Sequence, residues 1–410
     1  MGGLDGQRPQ VVILGGGFGG LAAARGLAAD RFDVTLIDRR PAFEFLPNIH
    51  ELLSGVKSPE RLRLPLDNAL AGLGHRFVND TITGIDPVER SVGVDRRRRP
   101  IGYDALVVAL GGVNATRGVA GVTDHAHSFK SVEDCAGIGH RLAELDAAGR
   151  GVRVVIIGGG LEGVEALGEI LRRYRSNALL EVTLVEARER LLPEAPATLD
   201  SHVRALCRAF NVAIETEAPV AAIESNRVHL QDGRAIVADL VIWTGGPAPA
   251  PELSAGGLAP KGAWVAVNES LQSNDHEAVF VVGDAAEVPD AVSKQAYHAL
   301  DMGECVATNV ARHLDGRELV PYRPSPKPML ISFGDLTCFI VVGGRVASGP
   351  SLSAAKEAVF ELVMAQLDPA PWWRRIPGAT ARAGQAAHEL LWPTLTSPRA
   401  LLRQANLRFL

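Results

Sequence analysis

Gln10-Val11-Val12-Ile13-Leu14-Gly15-Gly16-Gly17-Phe18-Gly19-Gly20 is an apolar run that breaks into a turn of glycines. Leu21–Leu27 continues it in a helical pattern, and Val34–Ile37 reads as a second buried strand ending at Asp38. Strand, glycine turn, helix and strand in that order make a βαβ unit of a parallel sheet. Gly15, Gly17 and Gly20 stand at the glycine positions of G-x-G-x-x-G, with Phe18 and Gly19 filling the turn. Each glycine answers a separate need: a tight turn, close approach of backbone to a diphosphate, and close packing of helix on strand. The helix that starts there aims amide N–H groups and a favourable dipole at the anion. Asp38, followed by Arg39, is placed to accept hydrogen bonds from an adenosine ribose.

The theme recurs. Val152–Ile157 leads into Gly158-Gly159-Gly160-Leu161-Glu162-Gly163, then a helix through Tyr174, then Val182–Val185 ending at Glu186. Gly158, Gly160 and Gly163 hold the fingerprint positions. A carboxylate at Glu186 bonds a free ribose 2′-hydroxyl and repels a 2′-phosphate, so NADH is expected over NADPH. Arg188 and Arg190 follow and weaken that preference. Asp104–Gly112 and Asp239–Gly246 are apolar strands that end in paired glycines, as two copies of one crossover would. Gly111 and Gly245 are therefore further candidate cofactor contacts.

A late apolar strand, Ala278–Val282, delivers Gly283-Asp284. After an N-terminal fingerprint, that arrangement puts a carboxylate at the ribityl chain and an amide at the phosphate of a flavin. The first site is thus expected to take FAD and the second a nicotinamide. The expected fold class is α/β: two Rossmann-like doubly wound domains, for FAD and NAD(P)H, with a small C-terminal α+β region. Residues 1–115 and 251–320 would form the FAD-binding domain, 116–250 the NAD(P)H-binding domain, and 321–410 the C-terminal region. Ser91–Pro100, with Arg96–Arg99 at its tip, reads as a hairpin, and Gln231-Asp232-Gly233-Arg234 turns Arg227–Leu230 into Ile236–Val241.

The 410 residues, 47% of them hydrophobic, suffice for two or three cores, and a net charge of -5 argues against nucleic acid. Cys135, Cys207, Cys305 and Cys338 show no paired spacing, which suits free thiols in a reducing cytoplasm, and no metal is expected. MGGLDGQRPQ lacks the basic and apolar segments of a signal peptide, and no apolar stretch reaches the roughly 20 residues of a membrane span.

In this order the motifs resemble the two-dinucleotide-binding-domain flavoprotein superfamily and, within it, the type II NADH dehydrogenases. The resemblance runs from about Gln10 to Asn309. It rests on the first fingerprint with Asp38, on Phe45-Leu46-Pro47-Asn48-Ile49-His50-Glu51-Leu52-Leu53-Ser54-Gly55, and on Phe129-Lys130-Ser131-Val132-Glu133-Asp134. Gly163-Val164-Glu165-Ala166-Leu167-Gly168-Glu169 and Gly283-Asp284 complete it. It implies a membrane-surface enzyme that passes electrons from NADH through FAD to a quinone without pumping protons. It also implies that Pro47 lies by the flavin, and that an acid after the second fingerprint lies near nicotinamide and flavin. Glu165 and Glu169, four apart, share a helix face. Glu169 is expected to face the active site; the alternative pairs one of them with Arg172 or Arg173.

One departure concerns the acceptor. Where such enzymes carry Ala-Gln-x-Ala-x-Gln, this chain reads Ala296-Tyr297-His298-Ala299-Leu300-Asp301-Met302. Tyr297 and Asp301 replace the glutamines, with Lys294 and Gln295 nearby as acceptor-site candidates. His298 is either a proton donor to the reduced acceptor or a packing residue. Phe43–Gly55 has no C-x-x-x-x-C pair, which excludes a disulfide reductase. A soluble small-molecule acceptor, and a nucleotide sensor with little turnover, stand as alternatives.

From Pro371 onward six arginines face one acid, Glu389, and Trp372, Trp373 and Trp392 lie among them. Pro398–Leu410 reads as an amphipathic helix. An anionic membrane surface is the expected partner of residues 371–410, on the inner face of the cytoplasmic membrane, with self-packing or a homodimer contact as the alternatives.

Overall fold

The computed structural model describes residues 8–290 and 292–368, and the backbone of 408–409. Two five-stranded parallel sheets share one strand order. In the first, Val279–Val281, Ala105–Val108, Gln10–Leu14, Asp33–Asp38 and Arg76–Asn79 lie side by side. In the second the order is His127–Ser128, Leu240–Trp243, Val152–Ile157, Leu180–Val185 and Val212–Glu215. The α/β class with two doubly wound sheets is as expected. Central strands of such sheets are covered on both faces, which is why Val11–Leu14 and Ala105–Val108 are unbroken apolar runs buried throughout. Each fingerprint leaves the carboxyl end of its central strand, where the strand order reverses and a crevice opens.

Antiparallel sheets sit beside the parallel ones. Ile82–Asp86, Ser91–Val94 and Ile101–Gly102 form the hairpin tipped by the arginine run. The expected strand Ile236–Val241 divides: Ala235–Val237 pairs antiparallel with Arg227–Leu230, and Leu240–Trp243 crosses into the parallel sheet. Asp239 makes the change, accepting hydrogen bonds from the Arg153 amide and guanidinium. The two glycine-ended crossovers meet, with Gly112–Asn114 pairing antiparallel to Pro247–Pro249.

Helix Ala296–Leu314 lies against Phe18–Gly26 because Gly303 has no side chain: a Cβ there would stand 2.4 Å from the Gly19 carbonyl oxygen. That contact brings Tyr297 and its neighbours to the first fingerprint. The C-terminal region is an antiparallel sheet of Met329–Phe333, Thr337–Val342 and Arg345–Gly349, followed by helix Leu352–Leu367. It grips the second fingerprint helix, Leu161–Tyr174, at Gly168, where a Cβ would meet the Gly334 amide at 2.5 Å.

Arg408–Phe409, expected at the end of an amphipathic helix, instead pairs antiparallel with Ala347–Ser348. An open sheet edge offers free N–H and C=O groups, and chain that reaches it gains ladder hydrogen bonds. Trp372, Trp373 and Trp392 lie outside the described residues. Among the described residues no helix is long and apolar enough to cross a membrane.

Candidate active site

Both fingerprints have one construction. A Cβ on Gly20 would stand 1.9 Å from the Gly15 carbonyl oxygen, and one on Gly163 would stand 1.9 Å from that of Gly158. Gly15 and Gly158 take φ of +100° and +110°, a region L side chains avoid. A Cβ on Gly17 or Gly160 would touch nothing within 4 Å, because those positions face open space. The strand-end acids close the turns. Asp38 accepts from the Gly16 and Arg40 amides at 2.7 and 2.8 Å; Glu186 accepts from the Gly159 and Arg188 amides at 2.6 and 2.8 Å. Each carboxylate oxygen keeps further acceptor capacity for ribose hydroxyls.

The two turns open into one continuous cleft of about 1600 Å³. That exceeds the roughly 300–1,000 Å³ of an ordinary small-molecule pocket, as two extended dinucleotides require. Gly15, Gly17, Phe18, Gly19, Asp38, Arg39, Pro47, Gly111, Gly283 and Asp284 line its first end; Gly158, Gly160, Glu186 and Gly245 line its second. Gly20 and Gly163 stand behind the turns, where their role is packing. Burial raises the Asp284 carboxyl, against the pull of Lys294 and Lys130.

The two helix acids part company. Glu165 lines the cleft; Glu169, which was expected to face the active site, does not. It is buried against the Ser54 hydroxyl, with Arg172 at 3.5 Å. Glu165, 6% exposed, accepts from the Ser332 amide at 3.0 Å and from Lys356 Nζ at 2.6 Å. Lys356 is 7% exposed and also reaches His50 Nε2 at 3.3 Å, while His50 Nδ1 lies 3.5 Å from Glu165. Burial raises the Glu165 carboxyl and Lys356 opposes it. Burial, then Lys356, Lys57 and Arg172, hold His50 well below its ordinary range, so its ring is neutral.

Sequence reading missed Lys356 and the part played by His50. The signal was present: Lys356, Phe360, Val363 and Leu367 are the buried positions of helix Leu352–Leu367, so a lysine stands in an apolar stripe.

Glu169 has a measurable consequence. Burial pushes its carboxyl up to about 7, against the hydrogen bonds of Ser54 and the charge of Arg172. The folded protein then holds a proton that the unfolded chain, with a carboxyl near 4.5, releases. That contribution to stability is complete below about pH 4.5 and is lost as pH rises through about 7. Glu169→Gln is expected to stabilise the protein by about 2 kcal/mol at about pH 8 and to leave it unchanged at about pH 4, by urea denaturation. An equal change at both pH values would sink this assignment.

The acceptor-site candidates also divide. Lys294, Gln295 and Tyr297 line the cleft. Lys294 Nζ donates to the Asp284 carbonyl at 2.5 Å and lies 3.7 Å over the Trp264 ring. Gln295 turns its amide to the Ser293 hydroxyl. Asp301 is bound to Lys327 at 2.6 Å and is not among the cleft residues. His298 is buried beside a cavity of about 150 Å³ that adjoins the cleft and shares Asp284, Lys294 and Gln295 with its wall; Nδ1 lies 3.3 Å from the Tyr322 hydroxyl, and burial lowers its pKa. Packing, the second of its two readings, fits that position. All four cysteines are free, none lines the cleft, and burial raises the thiols of Cys135 and Cys338.

The family model for pyridine nucleotide-disulphide oxidoreductases matches residues 9–303. The chain belongs to that family. It is 28% identical over 371 residues to a demethylphylloquinone reductase of Synechocystis sp., with 86% of this chain and 91% of the relative covered. A type II NADH:quinone oxidoreductase of Staphylococcus haemolyticus is 23% identical, covering 86% and 94%. Among solved structures, NDH2 of Plasmodium falciparum in complex with NADH superposes with a TM-score of 0.79 at 16% identity, covering 89% of this chain and 96% of that one. At that identity the likeness concerns the fold. Family membership accounts for the paired fingerprints; the free cysteines, none of which lines the cleft, set this chain apart from the disulfide chemistry in the family's name.

Proposed function

We propose that this chain is a non-proton-pumping NADH:quinone-type oxidoreductase that uses FAD. One observation carries the reading: Glu165 and Lys356 form a buried ion pair at the wall of a cleft shared by both dinucleotide fingerprints. The names of the relatives support quinone as the acceptor. Residues 1–115 and 251–320 serve FAD, 116–250 serve NADH, and 321–410 supply Lys356 and the membrane-facing tail.

The residues fit the cofactor. The first turn presents an open backbone at Gly17 that would take the diphosphate, while Asp38 would hold the ribose and Asp284 the ribityl chain. FAD held there would supply the two-electron chemistry between NADH and the acceptor. The second turn and Glu186 hold NADH. Arg190 spends its guanidinium on the carbonyls of Leu192, Pro193 and Ala195, which leaves it unavailable to a 2′-phosphate. A reduced quinone takes up two protons, and Glu165 is a buried carboxyl at the cleft wall that can hold one. Lys356 favours its charged form, and the neutral His50 ring lies beside both groups.

An anaerobic NADH titration followed by a panel of quinones and soluble acceptors tests the reading. The flavin bleaches with NADH and a quinone restores its colour faster than oxygen does. If only soluble acceptors restore it, the quinone assignment fails in favour of the second reading, a soluble acceptor, which the replacement of both motif glutamines by Tyr297 and Asp301 favours. Association with an anionic membrane through residues 371–410 is read by liposome flotation with and without them; equal flotation removes that role.

A further inference from the structure

Glu162 occupies the last variable position of the second fingerprint, where the first fingerprint has Gly19. It lies in the first turn of helix Leu161–Tyr174 and lines the cleft. A carboxylate there suits the helix dipole, yet it stands where the turn aims its amides at a dinucleotide diphosphate. Left alone, its charge would repel that ligand.

A cation from another element meets it. Lys130 Nζ donates to the Glu162 carboxylate, and both side chains line the cleft. The lysine backbone is fixed on both sides. Phe129 is buried before it, and Ser131 after it caps helix Val132–Ala147, accepting from the Asp134 amide, while Asp134 accepts from the Lys130 amide at 3.3 Å. The side chain therefore reaches Glu162 from a rigid base. Its charge extends further, since it also opposes the burial-driven rise of the Asp284 carboxyl at the first site.

We propose that Lys130 is a positioning residue for the nicotinamide dinucleotide: by neutralising Glu162 it makes the second fingerprint a site that tolerates a diphosphate. The inference rests on the reading of that fingerprint as the NADH site. It assigns Lys130 no contact with the ligand; the effect runs through Glu162.

A double-mutant cycle read by calorimetry tests this. NAD+, ADP-ribose and adenosine are titrated into the FAD-loaded protein at low and at physiological ionic strength. Lys130→Gln weakens NAD+ and ADP-ribose about tenfold at low salt and less at high salt. Glu162→Gln binds at least as tightly as the parent, the double substitution returns to within about threefold of it, and Lys130→Arg retains binding. Adenosine, which lacks the diphosphate, does not respond to Lys130→Gln. Equal weakening by Lys130→Gln in the parent and in the Glu162→Gln background overturns the proposal, because Lys130 then acts without Glu162. So does an equal loss for adenosine, which marks structural damage. If the parent binds neither NAD+ nor ADP-ribose, the NADH reading itself fails, a distinct result.

Discussion

Lys356→Met is expected to slow steady-state turnover with a short-chain quinone about 100-fold. Anaerobic reduction of the bound flavin by NADH should stay within about threefold of the parent, since neither fingerprint touches this residue. Lys356 Nζ lies 2.6 Å from Glu165 and 3.3 Å from His50, so its removal strands a buried carboxyl. Without the opposing ammonium, burial raises that carboxyl further. The limb of the quinone pH–rate profile that reports it should move to higher pH.

Stranding one partner of a buried pair also destabilises by about 3 kcal/mol, so lost activity could reflect lost fold. The double variant Lys356→Met/Glu165→Gln separates the two causes. With neither charge present it should regain most of the stability and stay slow with quinone. If the double variant turns quinone over at the parent rate, the pair is structural and the proton-holding role is wrong.

The second large effect concerns the turns. Gly163→Val should abolish NADH binding, by at least about 100-fold in Kd, and leave the protein yellow. Gly20→Val should give colourless protein. In each case a Cβ would lie 1.9 Å from the carbonyl oxygen that opens the turn, and backbone cannot yield that far without unmaking the helix start. The two turns belong to different sheets, so the losses should be separate. Absorbance of the purified variants and NAD+ calorimetry read both. A colourless Gly163→Val beside a yellow Gly20→Val would exchange the two sites.

Much of this was legible in the chain itself. Gly15–Gly20 and Gly158–Gly163 are local devices: strand, turn, helix and closing acid lie within one stretch, so spacing alone specifies them. The acids do more than spacing foretold. Asp38 and Glu186 also tie down the turn amides of Gly16 and Gly159, which organises each site before any ribose arrives.

The choice between Glu165 and Glu169 was different. Residues four apart share a helix face, and helical periodicity cannot say which end of that face is covered. Helix Glu51–Ser54 covers the Glu169 end through the Ser54 hydroxyl and leaves Glu165 at the cleft. The tail taught the same lesson. Pro398–Leu410 has the pattern of an amphipathic helix, but at Arg408–Phe409 the edge of Arg345–Gly349 decides the conformation, and that edge is formed by residues some sixty positions earlier.

Local sequence specifies the two dinucleotide turns, their order, and the acids that close them, because every part of each turn is a near neighbour in the chain. Long-range packing is what opens both into one cleft and stands Lys356 beside Glu165 there. Those two residues are 191 positions apart, and no local pattern couples them. What joins them is the docking of the C-terminal sheet and helix on the second fingerprint helix, a packing event that burial of distant apolar faces drives.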